Sequence, residues 1–138
     1  MKKFETTIEI KAAPDKVWSI LTNAEAYPNW NSTVEKVDGQ IALGQKVTVY
    51  AKATPGRAFP LKVSEFEPSK KMVWSGGMPL GLFTGTRTYT LTPKGSSVVF
   101  NMREEFNGLM APLITRSIPE LQPAFDTFAA DLKKRAES

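Results

Sequence analysis

The stretch from Ile10 through Pro14, Trp18 and Leu21, followed at once by Tyr27, Pro28, Trp30 and Asn31, constrains this chain more than any other part of it. Ahead of it, Phe4, Thr6, Ile8 and Ile10 alternate with Glu5, Thr7, Glu9 and Lys11, the period-two pattern of a strand with one wet face. Ala12, Ala13 and Pro14 stop that strand. Proline suits the first position of a helix, because the N–H it lacks would be unpaired there, and Asp15 sets a negative charge against the positive end of the helix dipole. Val17, Trp18, Leu21 and Ala24 then recur at helical spacing, which predicts a short amphipathic helix over 14–23 and a second short helix or turn over 23–31. A strand, a proline-started helix and a tryptophan-bearing turn in that order point to a fold built around an internal pocket.

Residues 33–107 read as strands and turns. Val34 to Val37 ends at Asp38 and Gly39, Lys46 to Lys52 alternates, and Phe59, Leu61 and Val63 alternate next before a turn into Met72 to Ser75. Phe83, Gly85, Arg87, Tyr89 and Leu91 share one side of a long strand, and Val98, Phe100, Met102, Glu104 and Phe106 share one side of the last. Short turns between such strands indicate an antiparallel meander. The segment from Gly76 to Leu82 is too rich in glycine and proline to predict regular structure, and Met78, Leu80 and Leu82 give it the apolar underside of a candidate lid. The period changes at the end: Leu113, Ile114, Ile118, Leu121, Phe125, Phe128 and Leu132 fall at steps of three and four, the mark of one apolar helix face. Pro119 and Pro123 should kink or restart its first half, leaving a firmer helix over 120–136.

No linker or repeat divides the chain, so residues 1–138 form a single domain long enough to bury a core without staples. The absence of cysteine removes thiolate chemistry, and the absence of histidine removes the commonest general base and the usual zinc ligand. No metal site and no cofactor are expected. The net charge of +4 is spread too thinly for a nucleic-acid partner. Charges at Glu5 and Glu9 break any apolar signal core, and no apolar run is long enough for a membrane span; the reading is cytoplasmic, with membrane contact at most peripheral through Lys133, Lys134 and Arg135.

The order of elements resembles the helix-grip fold of the START-like SRPBCC superfamily of polyketide cyclases, dehydrases and lipid-transport proteins. The residues that carry the likeness are Ala13, Pro14, Val17, Trp18 and Leu21 with Tyr27, Pro28, Trp30 and Asn31, then Gly85 to Pro93, Glu104 to Leu109, and Phe128 to Leu132. The resemblance implies an α+β fold in which a curved seven-stranded antiparallel sheet grips a long C-terminal helix, with two short helices after strand 1 and a cavity between sheet and helix. Its ligand would be a small hydrophobic molecule such as a lipid, isoprenoid or polyketide, and a homodimer is left open.

Residues on the inward parity become candidate ligand contacts: Trp74, Phe83, Tyr89, Phe100 and Met102 from the sheet, Leu121, Phe125 and Phe128 from the helix, and Met78 and Leu80 from the glycine-rich segment. Arg87 is the sharpest of them. An inward arginine keeps its charge and must meet either a carboxylate or a ligand, so two readings stand: an internal bridge to Glu104, or a clamp on a ligand carboxylate, enolate or phosphate. Glu104 and Glu65 are the candidate catalytic bases for an alternative function, a cofactor-independent cyclase or dehydratase in which Arg87 steadies an enolate. A bulge near Phe66 would turn Glu65 outward.

Overall fold

The computed structural model describes residues 2–52, 54–78, 81–117 and 120–138; of Lys2, Met78 and Ser117 it describes the backbone alone. Strand β1 (Lys2–Ile10) leads into helix α1 (Pro14–Leu21), a 3-10 turn (Ala24–Ala26) and helix α2 (Tyr27–Trp30). Six strands follow: β2 (Val34–Gly39), β3 (Lys46–Ala51), β4 (Phe59–Glu67), β5 (Lys71–Met78), β6 (Phe83–Lys94) and β7 (Ser97–Asn107). A short helix α3 (Ala111–Ile114) and a 3-10 turn (Thr115–Ser117) precede the terminal helix α4 (Gln122–Glu137). The strands make one antiparallel sheet in the order β1-β7-β6-β5-β4-β3-β2, so β2 to β7 meander in sequence order and β1 closes onto β7. The sheet curves into a half-barrel around α4, the α+β helix-grip architecture.

The corner that opens the chain is held by its own side chains. Pro14 stands in the first turn of α1, and Val17, Trp18 and Leu21 are buried. The Tyr27 hydroxyl donates to the Leu21 carbonyl at 2.6 Å, and the Trp30 ring packs 4.9 Å from Tyr27 and edge-on against Phe128 at 5.6 Å. From the far side, Ser69 donates to Asp15 at 2.7 Å, tying the β4–β5 turn to the start of α1.

Helix α4 begins later than the apolar periodicity predicts. Pro123 falls in its first turn, where a missing N–H leaves nothing unpaired, and Pro119 lies outside the described residues. Leu113, expected on the same apolar face, belongs instead to α3 and is 60% exposed, because the chain turns between the two helices and changes which side faces the sheet. From Gln122 onward α4 is stitched by hydrogen bonds to the backbone of β1 and of Lys11 just beyond it: Gln122 Nε2 to the Glu5 carbonyl at 2.8 Å, Lys133 Nζ to the Glu9 carbonyl at 3.0 Å, and the Lys11 N–H to Glu137 Oε2 at 2.8 Å. These partners lie at opposite ends of the sequence, so they fix where the helix rests over the sheet.

The glycine-rich segment is also more regular than its composition predicts. Gly76, Gly77 and Met78 are strand residues of β5, paired with Gly85, Thr84 and Phe83 of β6, and Gly81 and Leu82 form a turn before β6. A Cβ on Gly76 would stand 2.7 Å from the Pro60 carbonyl, so glycine here admits the backbone of β4 where the sheet bends. Gly77 has φ +142° and its missing Cβ would collide with the Phe83 carbonyl. Gly77→Ala is therefore expected to cost about 2 kcal/mol or more, seen as a lowered denaturant midpoint with an unchanged slope.

Candidate functional site

Between the inner face of the sheet and the first half of α4 lies a cavity of about 360 Å³. Val49, Leu61, Trp74, Phe83, Met102 and Phe106 line it from the strands, with Ile114 of α3 and Leu121, Phe125 and Phe128 beyond. Of the residues singled out from the sequence, Trp74, Phe83, Arg87, Met102, Glu104, Leu121, Phe125 and Phe128 meet at this cavity. Tyr89 and Phe100 do not line it. Both are fully buried behind it, where Phe128 stacks on Phe100 at 6.1 Å and packs against Tyr89 at 6.2 Å, so the ring of Phe128 fills the space that their inward parity predicted as open. Met78 beyond its backbone, and Leu80 altogether, lie outside the described residues.

Glu65 is turned away from the cavity. The register shifts between Val63 and Glu65, the bulge reverses the alternation, and Phe66 goes inward against Trp18 at 5.3 Å. Glu65 is left 56% exposed in a 3.2 Å ion pair with Lys71. It is not placed to act on anything in the cavity.

Arg87 and Glu104 face each other directly across β6 and β7, and Arg87 Nε donates to Glu104 Oε1 at 2.6 Å. Their side chains are only 20% and 15% exposed, and the guanidinium carbon lies 4.9 Å over the Phe125 ring, a cation–π contact. Burial, the largest influence, works against the charge on Arg87, but Glu104 and Tyr89 together outweigh it and hold the guanidinium above its ordinary value. The internal bridge is thus formed. Only Nε is engaged with Glu104, and the residue lines the cavity.

The buried Tyr89 hydroxyl lies beside that guanidinium, which acts on it by charge and as a hydrogen-bond donor of poor geometry. Burial pushes its phenol up to about 12, and the Arg87 charge offsets part of the rise. A raised phenol stabilises the fold fully below its unfolded value and loses that contribution as pH climbs through the folded one. Stability should therefore fall as pH rises from 10 to about 12, and Tyr89→Phe should make that limb shallower while the raised Tyr27 phenol keeps the rest of it, as read from denaturation midpoints across the alkaline range.

The alternation rules missed Thr33, Thr54 and Arg57, which also line the cavity from the loops flanking β2, β3 and β4. Loop residues carry no period, and Thr54 ahead of Pro55 and Gly56 reads only as a turn. Among the described residues no group of acidic side chains has the makings of a metal centre, and no helix is long and apolar enough to cross a membrane.

This arrangement of sheet, helix and cavity has relatives. A model of the family described as polyketide cyclase / dehydrase and lipid transport matches residues 1–137. The chain belongs to that family. Among curated proteins none matches the sequence. Solved structures similar to this family member include a START superfamily protein from Mycobacterium smegmatis, at 17% identity and a TM-score of 0.70, covering 98% of this chain and 97% of that one. The Aha1 dimer from Colwellia psychrerythraea is similar at 21% identity and a TM-score of 0.68, covering 99% and 97%. Truncated norcoclaurine synthase from Thalictrum flavum is similar at 17% identity and a TM-score of 0.68, covering 97% and 92%. At these identities the likeness is one of fold.

Proposed function

We propose that this polyketide cyclase / dehydrase and lipid transport family member binds and carries a small hydrophobic molecule whose one polar atom against Arg87 is a neutral oxygen. The observation that carries this reading is a largely apolar cavity with a self-neutralised ion pair in its wall. A ligand carboxylate or phosphate at Arg87 would also stand beside Glu104. Two like charges about 4 Å apart cost on the order of 4 kcal/mol at the effective dielectric near a protein surface, which offsets the attraction of the arginine. A carbonyl, ether or hydroxyl oxygen accepts from the guanidinium without that cost. The cavity volume sits at the lower end of the range for small-molecule sites, which suits a compact ring system or a short chain.

The test is displacement of the fluorescent probe N-phenyl-1-naphthylamine by pairs of ligands that differ only in charge. A medium-chain methyl ester or ketone is expected to compete better than the matching free acid at neutral pH. Tighter binding of the acid would overturn the neutral-oxygen reading, and failure of every hydrophobe to bind would overturn carriage itself.

A catalytic reading is favoured by one observation, that Glu104 lines the cavity beside Arg87 and so stands within it as a carboxylate for proton transfer. Cyclisation or dehydration needs only positioned acid and base groups. Under this reading Glu104→Gln abolishes turnover of a polyketide-like substrate with the fold retained; loss of stability with no turnover to lose favours the structural bridge.

A further inference from the structure

Among the described residues four large apolar side chains stay exposed, and three of them, Phe59, Leu109 and Leu113, lie at one end of the sheet. The Leu109 N–H donates to the Gly81 carbonyl at 3.2 Å and the Met110 N–H to the Leu82 carbonyl at 2.7 Å, which seats the loop between β7 and α3 against the turn before β6. Leu113 follows on α3, and its neighbour Ile114 lines the cavity. On the other side of the β5–β6 hairpin, Arg57, Phe59 and Pro60 line the cavity while exposed, so the cavity reaches solvent at this end. Single apolar residues on a surface need no explanation, but a group of them at the entrance to an apolar cavity does.

Positive charge goes with them. Lys52 and Arg57 in the β3–β4 loop and Arg116 just after α3 are exposed, and none forms an ion pair among the described residues. Glu120, the acid that follows them in the chain, accepts from the Gln122 N–H at 3.1 Å. The basic run at Lys133, Lys134 and Arg135 lies elsewhere, because α4 passes beside β1 from Glu5 toward Lys11, away from these loops. Lys133 Nζ is also held by the Glu9 carbonyl and by Glu137.

We propose that this end of the protein docks on an anionic lipid surface, with Leu109 and Leu113 inserted among the acyl chains and Lys52, Arg57 and Arg116 against the headgroups. Docking there rests on the carriage reading and says where the cargo is exchanged: the cavity opens toward the bilayer, so a hydrophobe passes between the two without crossing water. A bilayer fits this end better than a protein does. Leu109, 85% exposed, and Leu113, 60% exposed, protrude singly from a loop and a one-turn helix. A fluid surface receives them one by one, whereas a stable protein interface requires about 800 Å² of matched surface on each partner.

The experiment is co-sedimentation of the native protein with phosphatidylcholine vesicles, with and without phosphatidylserine. Binding is expected to the anionic vesicles and should weaken with added salt. Leu109→Ser/Leu113→Ser should lower the partition coefficient on the order of a hundredfold, because both side chains leave water on insertion. Lys52→Glu/Arg116→Glu should lower it on the order of tenfold or more. Leu43→Ser, at a leucine 62% exposed at the far end of β3, and Lys134→Glu/Arg135→Glu should change nothing. None of these residues lines the cavity, so displacement of N-phenyl-1-naphthylamine should stay native in every variant, and an unchanged urea midpoint reports that each is folded. No sedimentation with either vesicle overturns docking and leaves carriage standing; a surface made for a protein partner gives that result. Equal sedimentation with neutral and anionic vesicles, or a loss from Leu43→Ser or from Lys134→Glu/Arg135→Glu as large as that from Leu109→Ser/Leu113→Ser, also overturns it. Sedimentation as expected, with no hydrophobe displacing the probe, overturns carriage and leaves the docking surface in place.

Discussion

Phe128→Ala is expected to lower the unfolding free energy by about 4 kcal/mol, the largest effect of any single truncation considered for this chain. Phe128 is 3% exposed and its ring meets four other aromatic rings, those of Tyr27, Trp30, Tyr89 and Phe100. It therefore joins the corner after β1 to the centre of the sheet. Removing the ring loses its transfer free energy and leaves a void that the rigid strands β6 and β7 cannot collapse, which places the cost in the upper part of the range for large-to-small core changes. The same void would extend the ligand cavity toward Tyr89 and Phe100. The measurement is urea denaturation, with a lowered midpoint and an unchanged slope, and the enlarged cavity should admit bulkier neutral hydrophobes than the native one does.

Glu104→Ala is expected to cost about 3 kcal/mol, and the Arg87→Met/Glu104→Leu double variant to return to within about 1 kcal/mol of the native protein. The asymmetry follows from where the pair sits. Once Glu104 is gone, a guanidinium only 20% exposed has lost its counter-charge while still bearing the cost of burial. Replacing both partners with apolar side chains of similar size removes that cost along with the attraction. A strongly non-additive cycle in denaturation experiments would bear out the bridge as a coupled unit. The double variant should also lose its discrimination between a ketone and the corresponding hydrocarbon while still binding hydrophobes, since the apolar lining is untouched.

The sequence reveals those parts of the fold that local pattern controls. Alternation is sufficient to put Arg87 and Glu104 on one face, and the 2.6 Å contact between them follows from adjacent strands in register. Pro14 with Trp18, and Tyr27 with Trp30, are enough to find the corner. What the pattern cannot reach is set at long range. Whether an inward residue lines the cavity or fills the core depends on where α4 rests, and that is fixed by contacts such as Gln122 with Glu5 and Lys11 with Glu137. Tyr89 and Phe100 are inward by parity yet closed off by Phe128 for that reason. Glu65 escapes because one bulge reverses the parity for the remainder of β4. Gly76 and Gly77 signal a loop by composition but are strand residues, because close approach of neighbouring backbone is another use for a missing Cβ. Thr54 gives no sequence signal at all, and only its unpaired buried hydroxyl sets it apart.

Carriage requires that a neutral hydrophobic molecule occupy the space between α4 and the sheet. The most direct measurement is methyl chemical-shift mapping of the native protein titrated with a neutral aromatic ketone. Shifts concentrated at Leu61, Met102, Ile114 and Leu121, which line the cavity, with Leu43 on the exterior unmoved, are the predicted result. Shifts confined to exterior methyls, or none at saturating ketone, would contradict it.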